Sequence, residues 1–267
     1  MNLRNPNRLV SSSSQMLHQS IRIGFAAVLF CCCCAPATAD LGMRNTSGSG
    51  DEQLERLLDD ANRALSNEEY NLAIARCTTL LKSTADKRFA LPAYYLRCQA
   101  YASIHQNQQA MSDAESAIRV SPSWPSGYVA RAYLNASLGQ YKLAATDLDK
   151  AIYCGPRNEF ALLNMAWFKA VCPEAAYRDG KEAVELARRV CAATAWRDSA
   201  CLDTLAAAYA ECGDFDQAIK YENQAINSKN WGLSQKEKNW MVEALQKHLQ
   251  FFQSHKPYRT DFKYRNH

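Results

Sequence analysis

Residues 204–226 read TLAAAYAECGDFDQAIKYENQAI. The stretch has no histidine, and small residues are spaced between aromatic ones: Ala206, Ala218 and Ala225 are interleaved with Tyr209 and Phe215. At helical spacing, small residues let two backbones approach while large neighbours fill the gaps beside them. Gly213, between the two helical patterns, suits the turn that joins them. The stretch describes packing: two short antiparallel helices and no catalytic group.

The same arrangement recurs along the chain. YNLAI, QQAM, YKLAA, GKEAV and FDQAI place Ala73, Ala110, Ala144, Ala183 and Ala218 at intervals of 37, 34, 39 and 35 residues. Pro122 and Pro156 close two successive units and are 34 residues apart. The stretches Tyr94 to Pro122 and Tyr128 to Pro156 are the most regular. Each has an aromatic near its start, a small residue four later (Cys98, Ala132), then Ala110 or Ala144 and Ala117 or Ala151. A period near 34 with two helices per period is the tetratricopeptide pattern, which predicts an all-α, right-handed superhelical solenoid.

Residues 51–232 thus resemble a tetratricopeptide repeat domain of five units, at about 54–87, 91–124, 125–158, 159–197 and 199–232. The first departs most from the pattern, with Asp60 and Cys77 at positions that are usually apolar or aromatic. The fourth has a long connecting loop, CPEAAYRDG. The run NMAWFKAVCPEAAYRDGKEAVELARRVCAATAWRDSACLDTLAAAYAECGDFDQAI is similar to tandem repeats of exported bacterial proteins abundant in planctomycetes. That resemblance implies an interaction role and assigns no reaction.

The ends carry separate signals. Arg22 precedes the apolar run Ile23–Cys34, and Ala37-Thr38-Ala39 offers a small-x-small cleavage site before Asp40, so residues 1–39 read as a signal peptide. The run is about half the ~20 residues needed to span a bilayer, so no stable membrane span is expected. Met16 is an alternative start to Met1. Residues 40–50 read as a flexible linker. Ser234-Gln235-Lys236-Glu237 fits a capping box, and Trp240, Met241, Ala244, Leu245 and Leu249 mark one apolar face. Residues 233–255 are therefore expected to form a helix that caps the last repeat. The polar tail 256–267, KPYRTDFKYRNH, is expected to be loosely held.

Composition excludes several functions. The 31 basic and 27 acidic residues leave +4, of which Arg4, Arg8 and Arg22 belong to the leader, so charge gives no argument for nucleic acid. The 267 residues hold no His-Glu-x-x-His, no G-x-S-x-G and no phosphate-cradling glycine loop. Beyond the leader stand Cys77, Cys98, Cys154, Cys172, Cys191, Cys201 and Cys212, with no C-x-x-C among them. Metal, cofactor and catalytic sites therefore have no motif, and none is expected. A disulfide between Cys191 and Cys201 is possible, because both lie near the turn joining two antiparallel helices. The acids Asp203, Glu211, Asp214 and Asp216 read as a capped, solvated turn.

The expected working surface is the concave groove lined by the first helix of each unit. Its places hold Tyr95 and Gln99, Val129 and Tyr133, Leu163 and Trp167, and Asp203 and Ala207. Tyr95, Tyr133 and Trp167 are the candidate aromatic anchors for a protein or peptide partner. The groove lacks the basic set that clamps acidic chaperone tails: Leu58, Asn62, Leu96, Ser126 and Ala130 stand there, and only Asn62 matches. A thiol-dependent enzyme or redox protein of the cell envelope is the alternative function, with no sequence cue for an activated thiolate.

Overall fold

The computed structural model describes residues 49–228, 235–260 and 262. The expected leader, with its cleavage site at Ala39 and Asp40, lies outside these residues, as do nearly all of the linker and Ser234 of the capping box.

Among the described residues are eleven α-helices: α1 (Ser49–Ser66), α2 (Tyr70–Ser83), α3 (Lys87–Ser103), α4 (Asn107–Val120), α5 (Pro125–Ser137), α6 (Tyr141–Cys154), α7 (Glu159–Val171), α8 (Gly180–Ala193), α9 (Ser199–Glu211), α10 (Phe215–Ile226) and α11 (Gln235–Gln253). A 3₁₀ turn, Ala175–Tyr177, lies in the long loop of the fourth unit. Helices pair in sequence as α1/α2 through α9/α10, and α11 packs on α10 and α9. Successive first helices, α1, α3, α5, α7 and α9, also touch one another and form one layer of the array.

The repeat alanines sit at the close contacts. Ala73, Ala110, Ala144, Ala183 and Ala218 are each fully buried, as are Ala206 and Ala225. Tyr209 stacks on Tyr221 with ring centroids 5.6 Å apart and fills the space beside them. The turn inside each unit has one left-handed residue two places before the second helix: Glu68, His105, Gly139 and Gly213, with φ of 66°, 61°, 74° and 80°. Glycine suits that conformation in the third and fifth units. The fourth unit replaces the turn with its long loop.

Side chains cap several of the helix starts. Asn158, Asp179, Asp198 and Asp214 each accept a backbone N–H from the first turn of α7, α8, α9 and α10. Gly180 opens α8 where a Cβ would stand 2.8 Å from Cys212 Sγ and 3.0 Å from the Cys212 backbone nitrogen, so the close approach of α8 to the end of α9 requires glycine. Two central units carry the same buried ion pair between their helices. Arg97 donates from Nε and Nη2 to Asp113 at 2.8 and 2.7 Å, and Arg131 does so to Asp147 at 3.0 and 2.7 Å. No described helix is long and apolar enough to cross a membrane.

Candidate functional site

The layer of first helices is covered over its C-terminal half by the chain's own tail. After α11 the segment Lys256–Thr260 leaves the helix and runs back across the ends of α9 and α7, and Phe262 reaches α5. For residues 256–260 and Phe262 the expectation of a loosely held tail is thereby corrected. The residues that hold it alternate. Tyr258 lies against His248 at 4.2 Å and Phe251 at 5.6 Å between ring centroids, and against Trp167 at 6.2 Å. The backbone N–H of Thr260 donates to the Val171 carbonyl at 3.2 Å. Phe262, only 7% exposed, meets Tyr133 edge-on and contacts Tyr141 and Phe168. Between them Arg259 donates to the Ala170 carbonyl at 3.2 Å and to the Glu211 carboxylate.

A small cavity beside Phe262 is lined by that ring together with Val129, Ala132, Tyr133 and Ala136 of α5, Leu148 of α6, and Asn164, Trp167 and Phe168 of α7. Of the candidate groove residues, Val129, Tyr133 and Trp167 therefore converge on one site. Tyr95 does not join them. It is 9% exposed and packed edge-on against Trp124 and Phe160, so it is a core ring rather than an offered anchor. Gln99 is also buried, away from this pocket. Trp167 is 3% exposed because His248 and Tyr258 cover it. Asp203, likewise inaccessible, accepts or shares a hydrogen bond with His248 Nδ1 at 2.9 Å.

Sequence reasoning treated the acids near Gly213 as one solvated turn, and the structure divides them. Asp214 caps α10 and Asp216 is exposed, as that reading requires. Glu211 instead bridges Arg178 and Arg259, accepting from Arg178 Nε at 2.9 Å, and so ties the tail to the long loop of the fourth unit. Asp203 belongs to a buried cluster with Glu222 of α10 and His248 of α11, in which His248 Nδ1 is 3.9 Å from Glu222 Oε1. Burial first, and then the neighbouring Asp203 carboxylate, push the Glu222 carboxyl well above its ordinary range. The sequence held one signal for the docked tail: Tyr258, Thr260 and Phe262 alternate with polar residues, the period of an extended segment with one face down.

None of the described thiols is joined in a disulfide. Cys191 and Cys201 are both buried and lie within side-chain hydrogen-bonding distance of each other. Burial pushes the Cys77 thiol up to about 12 and raises Cys98, Cys172 and Cys212. Cys191 is raised by its contact with Cys201 and then by burial. A raised thiol is the reverse of what a nucleophilic cysteine requires.

No family model matches the chain. Over 75 residues it is 37% identical to the small glutamine-rich tetratricopeptide repeat-containing protein 2 of Saccharomyces cerevisiae, covering 28% of this chain and 20% of that protein. The chain thus spans about a fifth of the length of that curated relative. Among solved structures, it is similar to a thermophilic tetratricopeptide repeat protein of Thermus thermophilus, with TM-score 0.57 and 15% identity over 72% of this chain and 98% of the other. A second is YrrB, described as a tetratricopeptide repeat protein with an unusual peptide-binding site, with TM-score 0.43 and 18% identity over 75% of this chain and 100% of the other. With five sequential helix pairs and the likeness to the Thermus protein, the chain has the tetratricopeptide repeat fold.

Proposed function

We propose that the chain is an exported scaffold that binds an extended segment of a protein partner along its first-helix layer and carries out no catalysis of its own. The observation that supports this most is the tail. Residues 256–260 and Phe262 lie on that layer through two aromatic side chains, one backbone hydrogen bond and one arginine. The surface is therefore built to hold a non-helical chain by alternate side chains, the way extended peptides are recognised in grooves. Tail and partner compete for it, so a partner gains access by displacing Phe262 and Tyr258 or by joining the surface beyond them on α5 and α3.

A labelled peptide of sequence KPYRTDFKYRNH, residues 256–267, tests this reading. It is expected to bind the full chain carrying Phe262→Ala, whose own tail is weakened, and to bind the unaltered chain far less. Adding Tyr133→Ala removes an anchor, which costs about 2 kcal/mol or roughly thirtyfold in affinity. Absence of binding to the Phe262→Ala chain, or equal binding with and without Tyr133 at unchanged helix content, contradicts the proposal. Export rests on the apolar run and the Ala39–Asp40 site. Mass spectrometry of the mature protein is expected to find Asp40 at its N-terminus; retention of Met1 or Met16 refutes it.

A further inference from the structure

The last repeat breaks the rule that the other units obey at two core positions. Four residues after the repeat alanine stand Cys77, Ala114, Leu148, Ala187 and Glu222, and all five are buried. At the fifth place of each unit stand Leu58, Tyr95, Val129, Leu163 and Asp203, again all buried. Two apolar columns thus both end in an acid, and both acids lie in the same unit. The closing helix brings His248 to meet them. Their exposures are 1% for Asp203, 0% for Glu222 and 1% for His248, and one donor atom from each lies within 4.8 Å of the other two.

The described residues supply too few partners for these groups. Both carboxylate oxygens of Glu222 and Nε2 of His248 are buried without a hydrogen bond. Buried carboxylates are stable only when paired, protonated or bound to metal. A proton on Glu222 and an imidazolium at His248 give one electroneutral arrangement, but they leave a Glu222 oxygen and the Nε2 hydrogen unpartnered. A divalent cation gives another. It neutralises both carboxylates against a neutral imidazole and engages both oxygens of Glu222, leaving only Nε2–H. Nδ1 of His248, Oδ1 of Asp203 and the two oxygens of Glu222 then make four donors from α11, α9 and α10. We propose that Asp203, Glu222 and His248 form a structural binding site for one divalent transition-metal ion, zinc foremost, that ties the last repeat to its closing helix. Nitrogen and carboxylate donors in a closed, four-donor set suit zinc. Calcium and magnesium, which take six or more oxygen ligands or keep several waters, do not suit a dry site of this size. Trp167 and Tyr258, with ring centroids 5.8 and 4.2 Å from that of His248, shield the site on the side of the tail.

The test uses the full chain with Cys31, Cys32, Cys33, Cys34, Cys154 and Cys212 changed to Ser, so that neither the leader cysteines nor the two least buried of the described thiols can take metal. Protein produced with zinc in the medium and dialysed is expected to retain one zinc per chain, and EDTA is expected to remove it and lower the thermal midpoint. Cobalt in place of zinc is expected to give the visible absorption of a four-coordinate site without a thiolate band. Glu222→Gln keeps shape and packing but loses the charge. It is expected to weaken zinc binding by more than about a hundredfold, beyond the loss typical of outer-shell partners. A chain that retains no zinc, one that binds it equally well as Glu222→Gln, or a cobalt spectrum with a thiolate band overturns the proposal.

Discussion

The two central repeats and the last repeat share one backbone plan and solve the same problem in different ways. In units two and three a charged group enters the helix interface with its partner already in the unit: Arg97 faces Asp113 and Arg131 faces Asp147, 16 residues apart in both cases. Asn135 adds a third hydrogen bond to Asp147 at 3.1 Å. In unit five the buried acids Asp203 and Glu222 are paired with no described cation of their own unit and turn to His248 of the closing helix. Glu211 of the same unit turns to Arg178 before it and Arg259 after it. An internal repeat is shielded by a neighbour on either side and can be self-contained. The terminal repeat has an open side, and its polar groups turn to α11 and the tail, which close that side.

Breaking the self-contained pair is expected to have the largest effect. Arg131→Ala strands Asp147, whose side chain is 7% exposed, and costs about 3 kcal/mol, the lower end of the range for halving a buried pair because Arg131 itself is partly solvated. Replacing both members by apolar residues of similar size is expected to restore most of that loss. Chemical denaturation of the single and double variants measures it, and a double variant no better than Arg131→Ala refutes the pairing account. Overpacking the last unit comes next. Ala218→Leu at a fully buried contact costs on the order of 1–3 kcal/mol. Because the closing helix leans on α10, the loss is expected to appear together with release of α11; equal thermal midpoints contradict a contact role for Ala218. The smallest effect is a gain. His105 holds φ at 61°, where Gly139 and Gly213 stand in units three and five. His105→Gly relieves that conformation and is expected to stabilise unit two by a few tenths to about 1 kcal/mol, net of glycine's chain entropy. Thermal midpoints of the two chains measure it, and a lower midpoint for the glycine variant contradicts it.

What was legible in the sequence follows from the range of the forces. The alanine columns and Gly213 report local geometry, repeated at a fixed period, and they gave the helix pairs directly. The long loop CPEAAYRDG showed where the fourth unit departs, since it falls in the longest interval, the 39 residues from Ala144 to Ala183. The site was only partly legible. Tyr133 and Trp167 could be placed on first helices by counting, but counting does not say what covers them. Tyr95 illustrates the limit: it stands at the fifth place of its unit, in register with Val129 and Leu163, and Trp124 and Phe160 absorb it into the core. The tail was hidden by composition. Lys256, Arg259 and Asp261 make it look solvated, while Tyr258, Thr260 and Phe262 hold the face that docks. Asp203, Glu222 and His248 are far apart in the chain, and only the packing of three helices brings them together.

The comparison of central and terminal repeats rests on the tail being part of the folded surface. Hydrogen exchange resolved to single amides measures this most directly. The account predicts that the Thr260 amide, which donates to the Val171 carbonyl, exchanges slowly in the native full chain. It also predicts that Tyr133→Ala, which removes the ring that Phe262 meets edge-on, speeds that exchange while leaving amides within α5 and α7 protected. Exchange of Thr260 at the rate of an unstructured peptide in the unaltered protein would contradict it.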